Sequence, residues 1–233
     1  MLQDKNIAIL GASSGIGLAL TRLLHAQGAQ LWVYSRRPMP EDLPDVRWAP
    51  TDVLSPDFQL PGLPERLDGF VYAPGSINLK PFNRIKPDDF RQELEINAVG
   101  AFRALQLAFP TLKAAQGSVV LFSTVAAQTG MPFHAGIAAA KGAIEGMTRA
   151  LAAEWAPTVR INAVAPSLTD TPLASALLST EEKRQNAAAR HPLKRVGAAA
   201  DIAQAALFLL DAETSGFITG QVLHVDGGMG NLK

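Results

Sequence analysis

Asn6-Ile-Ala-Ile-Leu10 leads into Gly11-Ala-Ser-Ser-Gly15-Ile-Gly17, then Leu18 to Gln27, then Gln30-Leu-Trp-Val-Tyr34, and this stretch decides the fold. The first run is short, apolar and β-branched, closed by a glycine, as in a buried strand. Leu18, Leu20, Leu23 and Leu24 recur at helical spacing, and Gly28 stops the helix. The second apolar run fits a parallel neighbour strand, because strand–helix–strand connections cross over right-handedly. Between strand and helix lies a glycine-rich turn, where backbone N–H groups and the helix dipole can hold a phosphate. Glycine also serves tight turns that bind nothing. Here the strand before and the helix after supply the context that phosphate binding requires.

The second strand bears on the nucleotide. An NAD site ends this strand with an acidic residue on the ribose 2′-hydroxyl. This chain has Tyr34-Ser35-Arg36-Arg37 instead, with no carboxylate. A planar guanidinium and a serine hydroxyl pair with a 2′-phosphate that an Asp would repel. The expectation is NADP(H) over NAD(H), held by Ser35, Arg36 and Arg37; the other use of two such arginines is a solvated surface pair.

The chain of 233 residues is sufficient for one domain with an ample core. Its hydrophobic share is 48% and its mean hydropathy is +0.11, both globular values. A formal net charge of +0 gives no reason to expect nucleic acid or an anionic membrane as partner. The absence of cysteine excludes disulfides and thiolate chemistry and accords with a cytoplasmic location. Asp4-Lys5 runs directly into the first strand, so no signal peptide is expected. No apolar run approaches the ~20 residues of a membrane span. No metal site is expected.

Further along, Arg37 to Arg66 is too rich in proline for a long helix, although Val46-Arg-Trp-Ala49 can form a third strand. Gly69-Phe-Val-Tyr-Ala73 reads as the fourth strand, ended by Pro74-Gly75, and Ser118-Val-Val-Leu-Phe122 as the fifth, closed by Ser123-Thr124. Pro87 to Leu107 alternates at helical period, with Pro87 suited to a first turn. A long helix is expected from Ile137 to Trp155, a sixth strand from Val159 to Val164, and a helix from Ala200 to Leu210. Residues 173–196 are polar and Ala-rich, as in a mobile flap over a substrate.

The glycine spacing Gly11-x-x-x-Gly15-x-Gly17 resembles that of the short-chain dehydrogenase/reductase family, with Leu10 where the family usually has Thr. Ile96-Asn97-Ala-Val-Gly100, Lys141, Asn162 and the Asp226-Gly-Gly228 ending fall in order with that family's motifs over essentially the full length. The resemblance implies an α/β fold: a doubly wound, Rossmann-type parallel sheet of about seven strands in a three-layer αβα arrangement. Residues 1–233 then form a single domain with a small flap at about 173–196. It implies cofactor contacts from Gly11, Ser13, Ser14, Gly15, Ile16 and Gly17, and adenine contacts from Asp52 and Val53. Ala73, Pro74 and Gly75 stand where the family carries Asn-Ala-Gly, and Pro166, Thr169 and Thr171 sit in the loop expected at the nicotinamide. Ser167 replaces that loop's usual glycine.

By the same resemblance, carbonyl reduction needs a Tyr four residues before Lys141 and a Ser thirteen residues before the Tyr. Counting back gives Ile137 and Thr124. Thr124 retains a hydroxyl that can donate to a carbonyl, whereas Ile137 carries no proton. The two tyrosines, Tyr34 and Tyr72, lie on strands of the cofactor half. Lys141 is expected to hold the ribose, and Asn97 to kink its helix and hold a water in the proton relay. Water, Lys141 or His134 could supply the proton, an imidazole being able to titrate near neutrality. The expected function is an NADP(H)-dependent oxidoreductase acting on a carbonyl, an alcohol or an activated C=C bond. The alternative is an NADP(H)-binding sensor, scaffold or partner subunit without redox chemistry. A non-redox elimination or isomerisation finds no extra carboxylate pair to support it. Small residues along the helix, Ala138 to Ala140, Gly142, Ala143 and Gly146, suit the family's four-helix contact, so a homodimer or homotetramer is expected.

Overall fold

A computed structural model describes residues 2–232. The opening stretch forms β1 (Asn6–Leu10), α1 (Gly15–Ala26) and β2 (Gln30–Ser35). Then follow β3 (Arg47–Pro50), β4 (Gly69–Tyr72), α2 (Pro87–Leu94), α3 (Gly100–Ala115), β5 (Ser118–Phe122) and α4 (Ala135–Trp155). The chain continues through β6 (Arg160–Pro166), β7 (Thr169–Asp170), α5 (Glu181–Ala189), β8 (Gly197–Ala198), α6 (Ala199–Leu210), α7 (Ala212–Ser215) and β9 (Val222–Val225). Seven strands form one parallel sheet in the order β3-β2-β1-β4-β5-β6-β9, and β7 pairs with β8 in a separate short ribbon. The expected doubly wound sheet is therefore present. Among the described residues no helix is long and apolar enough to cross a membrane.

The sheet is buried on both faces because alternate side chains of each strand serve opposite layers. Ile7 and Ile9 of β1 pack with Leu20 and Leu24 of α1 and Ile202, Leu209 and Leu210 of α6. Ala8 and Leu10 point the other way, into a layer with Phe70 and Tyr72 of β4, Leu105 and Leu112 of α3, and Trp155 of α4. Strand order reverses at β1, whose neighbours are β2 and β4, so the loops leaving the carboxyl ends of β1 and β4 part and leave a crevice.

One expectation is corrected. Pro87 to Leu107 is not one regular helix: a π-helical turn, Glu95–Val99, separates α2 from α3. The Tyr72 hydroxyl donates to the Ile96 carbonyl at 2.6 Å, and the Asn97 amide donates to the Glu93 carbonyl at 2.9 Å. These side chains take over carbonyls in a turn whose regular hydrogen bonding is broken. Gly100 makes this possible, since a Cβ there would collide with the Tyr72 hydroxyl. The stretch expected to be a flap, residues 173–196, contains most of a 3-10 helix, Pro172–Leu178, and α5. It is tied to the β7 end by Arg184, which pairs with Asp170 at 2.6 Å.

Candidate active site

Two adjoining cavities of about 410 and 400 Å³ open at the carboxyl ends of the strands and share Ile16, Ala73, Pro74, Gly75, Thr171 and Leu173. The first is floored by the glycine turn. Gly11 has φ +76°, and a Cβ on it would lie 2.9 Å from the Pro74 nitrogen; a Cβ on Gly17 would strike the Gly11 carbonyl. The turn and the β4 loop can pass this closely only as glycine backbone. Ser14 caps α1 with no side-chain bond to the helix, and the first turn carries no acidic residue. The hydroxyls of Ser13 and Ser14 have no hydrogen-bond partner among the described residues. Gly15, with φ +54°, completes a turn whose N–H groups and helix dipole suit an anion. This arrangement fits a phosphate-bearing nucleotide.

At the opposite rim, Arg36 and Arg37 are exposed, line the first cavity, and have no side-chain partner among the described residues. Ser35 also lines the first cavity. Its hydroxyl donates to the Arg37 carbonyl at 2.6 Å and accepts from the Trp48 indole at 3.1 Å, so it also shapes the arginine loop. Asp52 and Val53 also line the first cavity, and one Asp52 carboxylate oxygen accepts from the Leu54 N–H at 3.0 Å.

The second cavity is lined by Thr124, His134, Ile137, Lys141, Pro166 and Thr169. Ser123 and Thr124 are adjacent, but their hydroxyls differ in availability. Ser123 donates to the buried Glu145 carboxylate at 2.8 Å, and Gln128 binds the other oxygen at 2.8 Å. Thr124 accepts only a 3.4 Å bond from the Ala126 N–H, so its proton is free to donate. Ile137 is 6% exposed and presents only methyl groups to the cavity. Lys141, one helical turn later, is 7% exposed, and its ammonium donates to the Phe122 carbonyl at 2.8 Å. Burial pushes its pKa down to about 8, partly opposed by the Glu93 carboxylate.

Asn97 lines neither cavity but sits directly behind the shared wall. A Cβ on Gly75 would lie 3.4 Å from Asn97 Oδ1 and 3.8 Å from Lys141 Nζ, so the two groups converge there. The Asn97 amide donates to Ser76 Oγ at 2.8 Å, while its Oδ1 is buried without a partner.

The tyrosines do not replace the missing phenol. Tyr72 donates to Ile96, and its pKa is raised by burial; Tyr34 donates to the Pro61 carbonyl at 3.0 Å, and burial pushes its pKa up to about 12. Neither lines the second cavity. His134 Nδ1 lies 2.6 Å from the Pro132 carbonyl, which can only accept, so Nδ1 carries the proton in the neutral ring. Nε2 is then a base, and His134 can donate from it only as imidazolium.

Other residues of the site give weak sequence signals. Glu93 is 4% exposed and lies near Lys141, and burial raises its pKa. His191 is buried in the wall of the second cavity, between the Ala187 carbonyl at 2.8 Å and the Ser167 hydroxyl at 2.8 Å. Asn162 and Asp226, which lie in motif positions, act structurally. Asn162 clamps Ile218 and Gln221, at 3.0 Å each, and Asp226 accepts from the Gly228 and Gly230 N–H groups at 2.8 Å each.

Residues 62–230 match a family model described as enoyl-(acyl carrier protein) reductase. A 3-oxoacyl-(acyl-carrier-protein) reductase of Thermotoga maritima is 32% identical, over 98% of this chain and 98% of the relative. A solved structure described as a short chain dehydrogenase/reductase family protein is 31% identical with a TM-score of 0.91, covering 99% of each chain. Another, described as ElxO with NADP bound, is 25% identical with a TM-score of 0.88, covering 97% of this chain and 99% of its own.

Proposed function

The chain belongs to the short-chain dehydrogenase/reductase family of oxidoreductases, and from that premise we propose that it is an NADP(H)-dependent reductase of a carbonyl or an activated C=C bond. The observation that carries the nucleotide half is the unpartnered pair Arg36 and Arg37, facing a glycine-turn cavity that contains no acidic residue at the end of β2. Two guanidiniums offer planar forks for a 2′-phosphate. A relative whose structure is described as holding NADP supports the same choice.

The glycine turn, with Ser13 and Ser14, would hold the diphosphate, Arg36 and Arg37 the 2′-phosphate, Asp52 and Val53 the adenine, and Lys141 the ribose. Pro166, Thr169 and Thr171 would flank the nicotinamide, which supplies the hydride when bound. In the second cavity the free Thr124 hydroxyl orients and polarises the substrate oxygen. Lys141 is a buried ammonium acidified by burial, which makes it a better proton donor near neutrality than an exposed lysine. Ile137 excludes water on one side and donates nothing. An activated C=C bond asks less of this site than a ketone, because its charge develops on a conjugated system that water can protonate. The relatives' descriptions as ketoacyl and enoyl reductases include both substrate types.

Replacing both Arg36 and Arg37 by alanine is expected to weaken NADPH binding about 10- to 100-fold, in keeping with ~1.5–3 kcal/mol for hydrogen bonds to a charged group, and to leave NADH binding unchanged. Fluorescence titration of each nucleotide provides the check. Equal weakening of both would argue against 2′-phosphate recognition. Oxidation of bound NADPH by a panel of ketones and conjugated alkenes then tests the chemistry. Binding without any oxidation would instead indicate a nucleotide sensor or partner subunit.

A further inference from the structure

Among the described residues, three buried side-chain polar atoms lack a hydrogen-bond partner: Glu93 Oε2, Asn97 Oδ1 and His224 Nε2. Buried polar atoms are nearly always paired. Two of these three belong to one cluster behind the second cavity. Glu93 and Asn97 are one turn apart, linked by the 2.9 Å bond from the Asn97 amide to the Glu93 carbonyl. The same amide donates to Ser76 Oγ at 2.8 Å, and Ser76 lies close enough to the Glu93 carboxyl to favour its charged form. From α4, Gly136 packs against this carboxylate's stem: a Cβ on it would be 3.7 Å from Glu93 Cγ. Lys141 uses one of its three N–H bonds on Phe122, and its Nζ and Asn97 Oδ1 both lie within 4 Å of the place a Cβ on Gly75 would take. Two unpaired acceptors and a nearby cation with spare donors supply the two to four polar partners that a bridging water needs.

We propose that Glu93 is a proton-relay residue that acts through Lys141. It takes the place, functionally, of the proton supply that Ile137 cannot give. The inference rests on the reductase reading above and adds the route by which its proton arrives. When Lys141 yields a proton to the reduced product, one N–H bond breaks and a neutral amine remains. The Glu93 carboxylate takes up a proton from solvent; that O–H then breaks, its proton crosses the bridging water, and the Lys141 ammonium is restored beside a carboxylate. No electrons move in the relay; the hydride comes from the nicotinamide dinucleotide.

The groups that set the proton's position come from each side of Glu93. On α2, Asp89 lies one turn earlier and disfavours a second negative charge, although it is paired with Lys80 at 2.8 Å. From α4, Lys141 favours the carboxylate, and burial opposes it more strongly. Ser76 lines the second cavity, as Lys141 does, and favours the carboxylate, so the cluster reaches the cavity from two sides.

The simpler role for Glu93 is that of a counter-ion to a buried lysine, and the test must separate the two. Carbon-13 NMR titration of glutamate carboxyls and lysine Cε carbons in the nucleotide-free protein, assigned with Glu93→Gln and Lys141→Met, should show Glu93 titrating above the ordinary glutamate range. The Lys141 midpoint should fall in Glu93→Gln. With an active ketone or alkene, Glu93→Gln should lower kcat by about 10²-fold at unchanged KM, as loss of a positioned proton donor does. Added formic acid should restore part of the rate, and Glu93→Asp should retain most of it. A counter-ion alone predicts full recovery of Glu93→Gln simply by lowering pH through the shifted Lys141 midpoint, and no rescue by formic acid. That result, or ordinary titration of Glu93 in the wild type, would overturn the relay. Wild-type protein that binds NADPH yet oxidises it with no substrate would instead remove the reductase reading beneath it. The wild-type titration holds even if Glu93→Gln fails to fold.

Discussion

Ile137→Tyr is expected to raise ketone reduction by about 10²–10⁴-fold, the contribution of a positioned general acid. The position is favourable for a direct test. Ile137 sits in the first turn of α4, lines the second cavity, and precedes Lys141 by one helical turn, so both side chains lie on the same face. A phenol there would meet a nearby ammonium that stabilises its anion and lowers its pKa. Ile137 is only 6% exposed, and overpacking typically costs ~1–3 kcal/mol, but the adjoining cavity of about 400 Å³ gives the ring somewhere to go. Steady-state NADPH oxidation with a ketone panel provides the check, and a conjugated alkene serves as the contrasting substrate. The gain should be large for ketones and small for alkenes. A folded variant with no gain for either would mean that Thr124 and Lys141 do not face a substrate carbonyl.

Lys141→Met is expected to lose activity by about 10²–10⁴-fold, and the pH dependence of its stability should differ from that of the wild type. The Lys141 pKa is lowered from 10.5 to about 8 in the folded protein. A lowered lysine pKa means that the unfolded chain binds the proton more tightly than the native state. The cost, on the order of 3 kcal/mol, is therefore fully present below about pH 8 and is relieved as pH rises toward the unfolded value. Denaturation of wild type and variant at intervals from pH 7 to about 10 should show the wild type gaining on Lys141→Met across that window. Parallel curves would mean that Lys141 is not a buried ammonium. The variant also strands the Phe122 carbonyl, which offsets part of what it gains at neutral pH.

Much of the fold is legible in the sequence because its signals are local. Asn6–Leu10 and Ser118–Phe122 form strands with the expected bounds, each being a short apolar run between residues that stop a strand. The glycine turn is legible for the same reason, since the left-handed backbone of Gly11 and Gly15 and the close approach at Gly17 leave few other residue choices. What escapes the sequence depends on tertiary contact. Periodicity from Pro87 to Leu107 cannot register a hydrogen bond that Tyr72 makes to the Ile96 carbonyl, so the π-turn is hidden from it, and only the family resemblance implies a kink at Asn97.

Ser35 has the right residue type at the right place for a phosphate, and its bond to the Arg37 carbonyl two residues on, which shapes the arginine loop, is not visible in the sequence. Glu93 lies among Asp88, Asp89 and Glu95 on a polar helix, which reads as a solvated face; only the approach of α4 buries it beside Lys141. The one local clue is its spacing, a single helical turn before Asn97. His191 is hidden likewise, in a stretch whose composition suggests only a flap. Ser123 and Thr124 are indistinguishable by sequence as carbonyl ligands without a family register, and the carboxylate of Glu145 separates them.

Nucleotide recognition underlies every step described above, and isothermal titration of the wild-type protein with NADPH and with NADH tests it most directly. NADPH should bind in a single site per chain, at least about 10-fold tighter than NADH, the margin that ~1.4 kcal/mol from the 2′-phosphate would give. No measurable heat or fluorescence change with either dinucleotide, or a clear preference for NADH, would contradict it.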